Sequence, residues 1–178
     1  MNINKGMFHH IITACQSGNG VLVELGSGET SAKFVEQGLT VYSIEHDPAW
    51  IGKYPGVNYI PAPLIKYAVN MPEWFTKVGV EPEWYDVQAI YDGIPDKYDA
   101  LLIDGPARKY RPMFHWNEGA FNSKVPWFAD DVNRPEWYRA LLYTCRDRGL
   151  STFPEIQGIL TNHAWIKIPA RRGEEYVG

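Results

Sequence analysis

The run Val21-Leu-Val-Glu-Leu25, followed at once by Gly26-Ser27-Gly28 and then Glu29-Thr30-Ser31, constrains this chain more than any other stretch. A short apolar, β-branched run matches a strand buried on both faces of a parallel sheet. Gly26 and Gly28 permit a tight turn and let backbone N–H groups come close to a ligand. Thr30 or Ser31 then supplies a cap for a helix whose first amides face the same space. A second strand, Thr40-Val-Tyr-Ser-Ile-Glu45, ends in a carboxylate about 20 residues after the first glycine, the spacing at which an acidic side chain reaches ribose hydroxyls. The pattern predicts a βαβ unit that binds a nucleoside.

What is missing narrows the nucleoside. A dinucleotide fingerprint needs G-x-G-x-x-G, and Ser31 stands where its third glycine would be. No G-x-x-x-x-G-K-[S/T] cradle for a triphosphate occurs either. Glu24 just before the loop, with few basic groups beside it, suits a ligand that carries an ammonium group and no phosphate. At Glu24-Leu-Gly-Ser-Gly28 and Glu45 the chain resembles the class I S-adenosylmethionine-dependent methyltransferases, whose first motif is E/D-x-G-x-G with an acidic residue closing the second strand. Many members carry a further glycine where Thr30 stands here. The resemblance implies a Rossmann-like, doubly wound α/β fold, with a mostly parallel sheet of about six to seven strands and helices on both faces. It also implies S-adenosyl-L-methionine as cofactor, held by Glu24, Gly26, Ser27, Gly28, Thr30 and Glu45.

With 178 residues the chain is expected to form one domain over 1–178, with 170–178 a loose tail. A net charge of −4 gives no basic surface for nucleic acid. Cys15 and Cys145 lack metal-ligand spacing and are too few for a disulfide framework, so they read as reduced thiols in a cytoplasmic setting. No apolar run approaches the roughly 18 residues of a membrane span. Seven tryptophans and eleven tyrosines fit either ordinary core packing or an aromatic-walled pocket, and composition does not choose between them.

Along the chain, Phe8, Ile11 and Ile12 are at helical spacing before the first strand. His9 and His10 are adjacent and so diverge on a helix, which speaks against a metal pair. Glu45-His-Asp-Pro-Ala-Trp50 offers Asp47 as a cap and Pro48 as a first helical residue. It also resembles an E-H-D-P-x-W segment of some methyltransferases, in which the residue at His46 borders the adenine. A third strand is expected at Val57–Pro61. The long crossover from Lys66 to Lys97, rich in aromatics, exceeds what a minimal connection needs, and part of it is expected to act as a lid. Ala100–Ile103 reads as a buried strand with Asp104 at its carboxyl end, the edge on which such sheets place ligands. A helix is expected over Pro112–Asn122, packing through Phe114 and Phe121. A fifth strand over Val125–Asp130, a helix over Arg134–Arg148 closed by Gly149, and an antiparallel edge strand over His163–Ile168 complete the pattern.

Trp84-Tyr-Asp86, Tyr98-Asp-Ala-Leu-Leu-Ile-Asp-Gly-Pro106 and Ala129-Asp-Asp-Val-Asn-Arg134 recur in this order in a branch of the same superfamily. Catechol-type O-methyltransferases place an Asp after the fourth strand and an acidic pair after the fifth, and these hold a divalent cation that polarises a substrate hydroxyl. Plant glucuronoxylan methyltransferases show a similar pattern. By that resemblance Asp104, Asp130 and Asp131 are candidate ligands for Mg²⁺ or another divalent cation, Asp104 also a candidate at the cofactor and in catalysis, and Lys109 and His115 candidate bases. The plain alternative has Asp130 or Asp131 capping the following helix, with no ion. The expected activity is methyl transfer to a hydroxyl of a small molecule or sugar, with no nucleic-acid or membrane partner. Two other readings stay open: a non-catalytic nucleoside-binding domain, and an NAD or nucleotide-sugar binder built on the same βαβ unit.

Overall fold

Alternation along the strands sorts the core into two halves. In a strand, successive side chains leave opposite faces, and here Leu22, Ala100, Leu102 and Phe128 pack on one side while Val23, Leu101, Ile103, Trp127 and Ala129 pack on the other. A computed structural model describes Ile3, residues 5–147 and residues 163–166. The elements are α1 (Lys5–Gln16), β1 (Val21–Leu25), α2 (Glu29–Glu36), β2 (Thr40–Glu45), β3 (Val57–Pro61), β4 (Leu64–Lys66), α3 (Glu73–Lys77), β5 (Glu83–Tyr85), α4 (Val87–Gly93), β6 (Ala100–Ile103), α5 (Phe114–Asn117), β7 (Trp127–Asp130), α6 (Pro135–Asp147) and β8 (His163–Ile166).

The main sheet runs β3-β2-β1-β6-β7-β8, with five parallel strands and β8 antiparallel to β7. This is a Rossmann-like, doubly wound sheet. Its strand order reverses between β1 and β6, and a crevice at the carboxyl ends of the strands opens there. Asp99 fixes the other end of that pair: its Oδ2 accepts from the N–H groups of Asn19 at 2.9 Å and Val21 at 2.8 Å. Helix α1 buries Met7, Ile11, Ile12 and Cys15 against one face, and Phe8 stacks on Phe34 of α2 at 4.7 Å. His9 and His10 are both exposed.

The opposite face is aromatic. Phe114 lies within 5.2–6.1 Å, ring to ring, of Trp127, Phe121, Trp137 and Trp84. Full burial of a side chain of this kind contributes roughly 1.5–3 kcal/mol, so this face of the sheet is held by packed rings.

Four expectations change. The segment after Asp47 is a turn and not a helix, because Asp47 Oδ1 accepts from Ala49 N at 2.9 Å and closes the chain on itself. The stretch 112–122 divides into a 3₁₀ turn at Arg111–Met113, the single turn α5, and a second 3₁₀ turn at Glu118–Ala120. Pro126 stays just outside β7 and uses only its carbonyl, which accepts from Leu101 N at 3.0 Å. The crossover is not a lid either. β4 and β5 pair as a small antiparallel sheet, and Phe75, Trp84 and Tyr85 are wholly buried, which ties the segment into the core. The expected helix closure at Gly149 and the tail 170–178 lie outside the described residues.

Candidate functional site

A cleft of about 270 Å³ opens at the strand-order reversal and is lined by Gly26, Glu45, His46, Asp47, Trp50, Tyr85, Asp104, Gly105, Pro106 and Ala107. It is built from the ends of β1, β2 and β6 together with Tyr85 from β5.

Gly26 ends β1 with φ +84°, the left-handed region that disfavours a side chain. A Cβ there would sit 3.0 Å from the Gly105 Cα. Gly28 is different, since its φ of −161° is extended backbone and a Cβ would meet nothing within 4 Å. The helix start is closed by Ser31 and not by Thr30: Gly28 N donates to Ser31 Oγ at 3.0 Å, and Ser31 N donates to the Gly28 carbonyl at 3.0 Å. Thr30 is buried, and its hydroxyl has no hydrogen-bond partner.

Glu45 closes β2 and is only 4% exposed. Its Oε2 accepts from Ser27 N at 2.9 Å, and its Oε1 accepts from the N–H groups of His46 at 2.6 Å and Asp47 at 2.8 Å. His46 Nδ1 lies 3.0 Å from the same Oε1. Burial pushes this carboxyl up, but the interactions with His46, Asp47 and Ser27 together outweigh it and hold the pKa below the ordinary value. Glu45 is therefore an anion that clamps the glycine loop to the end of β2 while still lining the cleft.

Glu24 points the other way, beneath α2, and is 1% exposed. Burial raises its pKa from 4.5 to about 8, against the pull of the Ser31 and Ser43 hydroxyls beside it, so the acid is protonated at neutral pH. Asp104, at the end of β6, is raised from 3.8 to about 7 by burial, held back by Arg111 and pushed further by Asp130 and Asp131.

Arg111 carries no sequence signal of its own, yet it organises this end of the sheet. The side chain is 6% exposed. One terminal nitrogen meets the Asp104 backbone carbonyl and lies 3.3 Å from Asp104 Oδ1. The other donates to the Asp130 carbonyl and to Asp131 Oδ2, each at 3.3 Å, while Nε donates to the Pro106 carbonyl at 3.4 Å. A second guanidinium, that of Arg134, lies 3.5 Å from Asp131 Oδ2. At the expected cation site the structure places the guanidinium of Arg111. Asp104 and Asp131 converge on a guanidinium, and the described residues contain no cluster of three or more His, Cys, Asp or Glu able to hold a metal. The residues present do not fit the ion.

Two further candidates lie away from the cleft. Lys109 pairs with Glu81 at 2.8 Å on the surface, and this hydrogen bond pushes its pKa further up, the wrong direction for a base. His115 contacts Thr144 Oγ1 at 3.1 Å and lies 3.6 Å from Asp147, between α5 and α6, with its pKa lowered by burial.

Tyr85, within the Trp84-Tyr-Asp86 segment, is the second residue to which sequence reasoning gave no role in the site. It is wholly buried, lines the cleft, and its hydroxyl has no hydrogen-bond partner. Burial, and then the carboxylate of Glu45, raise its pKa well above 10, so the phenol keeps its proton. An orphaned donor of this kind costs about 1–3 kcal/mol unless a ligand or water completes it.

No family model matches the chain, and no curated protein matches it. Among solved structures, a protein assigned as a caffeoyl-CoA O-methyltransferase from Staphylococcus aureus is 14% identical at a TM-score of 0.47, covering 84% of this chain and 73% of its own. MycE methyltransferase from the mycinamycin biosynthetic pathway, in complex with Mg and SAH, is 12% identical at a TM-score of 0.47 and covers 90% of this chain. A second MycE complex, with Mg, SAH and mycinamycin VI, is 11% identical at 0.43 and covers 93%. This chain spans 44% and 48% of the length of those two MycE structures.

Proposed function

We propose that the chain, read as one domain, binds S-adenosylmethionine in the cleft between β1 and β6 and transfers its methyl group to a hydroxyl of a small molecule or sugar. The observation that supports this is the charge of the lining. Glu45, Asp47 and Asp104 face the cleft, and no lysine or arginine is among its lining residues. Such a wall repels phosphate, which disfavours NAD and nucleoside phosphates, and suits a nucleoside that brings positive charge of its own.

In this reading Glu45 accepts from the ribose hydroxyls, and His46 and Trp50 border the base. Gly26, Ser27 and Gly28 present backbone to the ligand, and Glu24 and Thr30 support the loop from beneath. When bound, S-adenosylmethionine supplies an already activated methyl on a sulfonium, so the protein's task is alignment and proton removal. Asp104 is the group suited to that proton, because a base near neutrality is most effective when its pKa lies near the working pH. With a hydroxyl acceptor in the cleft, Asp104 would be the carboxylate that takes up the acceptor's proton. The Tyr85 hydroxyl, neutral and unpaired, is placed to donate to a ligand oxygen or nitrogen.

The experiment is calorimetric titration with S-adenosylhomocysteine, AMP and NAD. Binding of S-adenosylhomocysteine with exclusion of NAD is the expected result. NAD binding without S-adenosylhomocysteine would overturn the assignment. No helix of the described residues is long and apolar enough to cross a membrane.

A further inference from the structure

The carboxyl ends of β6 and β7 carry Asp104, Asp130 and Asp131, and the negative charge of the latter two bears on Asp104, which calls for a compensating charge. The compensation comes from within the chain. Arg111 sits seven residues after Asp104 and reaches across to the end of β7, joining both strand ends through two ion pairs and three backbone carbonyls. An arginine is suited to this, being permanently charged with five N–H donors in a fixed plane, and here its donors are spent on partners that are themselves fixed by the sheet. Asp131 holds its side chain toward Arg111 from a left-handed backbone, φ +58°, and has Arg134 on another side. A divalent cation prefers six or more oxygen ligands, or a few carboxylates completed by water, in an open shell. Here Oδ1 of Asp104 and Oδ2 of Asp131 are already turned to the guanidinium.

We propose that Arg111 is the resident cation behind the cleft wall, a positioning residue that joins the ends of β6 and β7, orients Asp104 toward the ligand space, and takes the place at which a divalent ion would be held. To admit an ion, the protein would have to expel a buried guanidinium and strand its charge, which is strongly unfavourable.

The test is a Mn²⁺ titration of the whole protein, followed by electron paramagnetic resonance of the free ion and by water-proton relaxation. Wild type is expected to leave millimolar Mn²⁺ free. Arg111→Gln removes the charge, keeps some hydrogen bonding, and is expected to bind Mn²⁺ at least about tenfold more tightly than wild type, since affinity follows the net charge of the ligand set. Arg111→Lys keeps the charge and is expected to exclude the ion as wild type does. A merely structural arginine would not move Mn²⁺ affinity in this pattern. Stoichiometric Mn²⁺ binding by wild type that is lost in Asp104→Asn would overturn the proposal, as would a folded Arg111→Gln with no gain, or ion binding by Arg111→Lys. If Arg111→Gln does not fold, the wild-type and Arg111→Lys titrations decide the matter alone. Mn²⁺ binding needs no methyl donor, so failure here is distinct from failure of the cofactor assignment, which the S-adenosylhomocysteine titration reads.

Discussion

Gly26 and Gly105 meet backbone to backbone at the point where the strand order reverses. A Cβ on Gly105 would lie 2.7 Å from Gly26 N and would also strike the Tyr85 hydroxyl. The loop after β1 and the loop after β6 thus approach as closely as two main chains can, and they form one wall of the cleft between them.

Gly105→Ala is therefore expected to destabilise the fold by about 1–3 kcal/mol, the usual cost of forcing a methyl into a filled site. Gly28→Ala is the contrast. Its backbone is extended and its Cβ direction is open, so stability should be unchanged while S-adenosylhomocysteine binding weakens if the ligand lies against that backbone. Urea denaturation of both variants, with calorimetry of the second, checks the pair. Equal stability losses in the two variants would contradict the packing described here.

Tyr85→Phe is expected to move stability and binding in opposite directions. Removing an unpaired buried hydroxyl should leave the protein as stable as wild type or up to about 1–3 kcal/mol more so. The same change should weaken the ligand that the hydroxyl completes. Thermal denaturation with and without S-adenosylhomocysteine reads both, and an unchanged ligand shift would remove Tyr85 from the site.

Glu45→Gln keeps shape but turns one acceptor oxygen into a donor facing backbone N–H groups. Loss of hydrogen bonds to a charged group costs about 1.5–3 kcal/mol, and the effect should appear in S-adenosylhomocysteine affinity and in protection of the Ser27, His46 and Asp47 amides from hydrogen exchange. Wild-type affinity together with wild-type exchange would show that the clamp carries no weight.

Glu24 predicts a pH dependence. Its folded pKa, about 8, exceeds the ordinary 4.5, so between these values the folded state holds a proton that the unfolded state has released. Stability from this residue is thus present below about pH 4.5 and declines as pH rises toward 8. Glu24→Gln cannot titrate and should flatten that decline, gaining on wild type as the solution becomes alkaline. Denaturation midpoints across this range test it; parallel curves would mean that Glu24 is not held protonated.

The strands and the glycine loop were legible because their signals are local: five apolar residues in a row, two glycines, a carboxylate at a fixed distance. β1, β2 and β3 begin and end where the sequence pattern sets them, and β8 pairs antiparallel as its alternation implied. Arg111 and Tyr85 were not legible, because each acts across the fold. Arg111 pairs with residues seven positions before and twenty after it, and Tyr85 reaches the cleft only because β5 folds back on β4. One clue was nevertheless present. Three carboxylates at adjoining strand ends call for positive charge, and Arg111, in the 3₁₀ turn between those strands, pairs with two of them. The lid expectation failed for a related reason: length and aromatic content do not reveal whether a crossover packs inward, and Phe75, Trp84 and Tyr85 do.

The clamp on Glu45 has a kinetic consequence. Ser27, His46 and Asp47 already donate their amides to that one carboxylate, so if a ligand binds at this loop, little is left to order on its arrival. Association should accordingly be a single concentration-dependent phase, without the slow second step of a protein that reshapes itself around its guest. Among ligands that enter at similar rates, selectivity would then be read in how fast each one leaves.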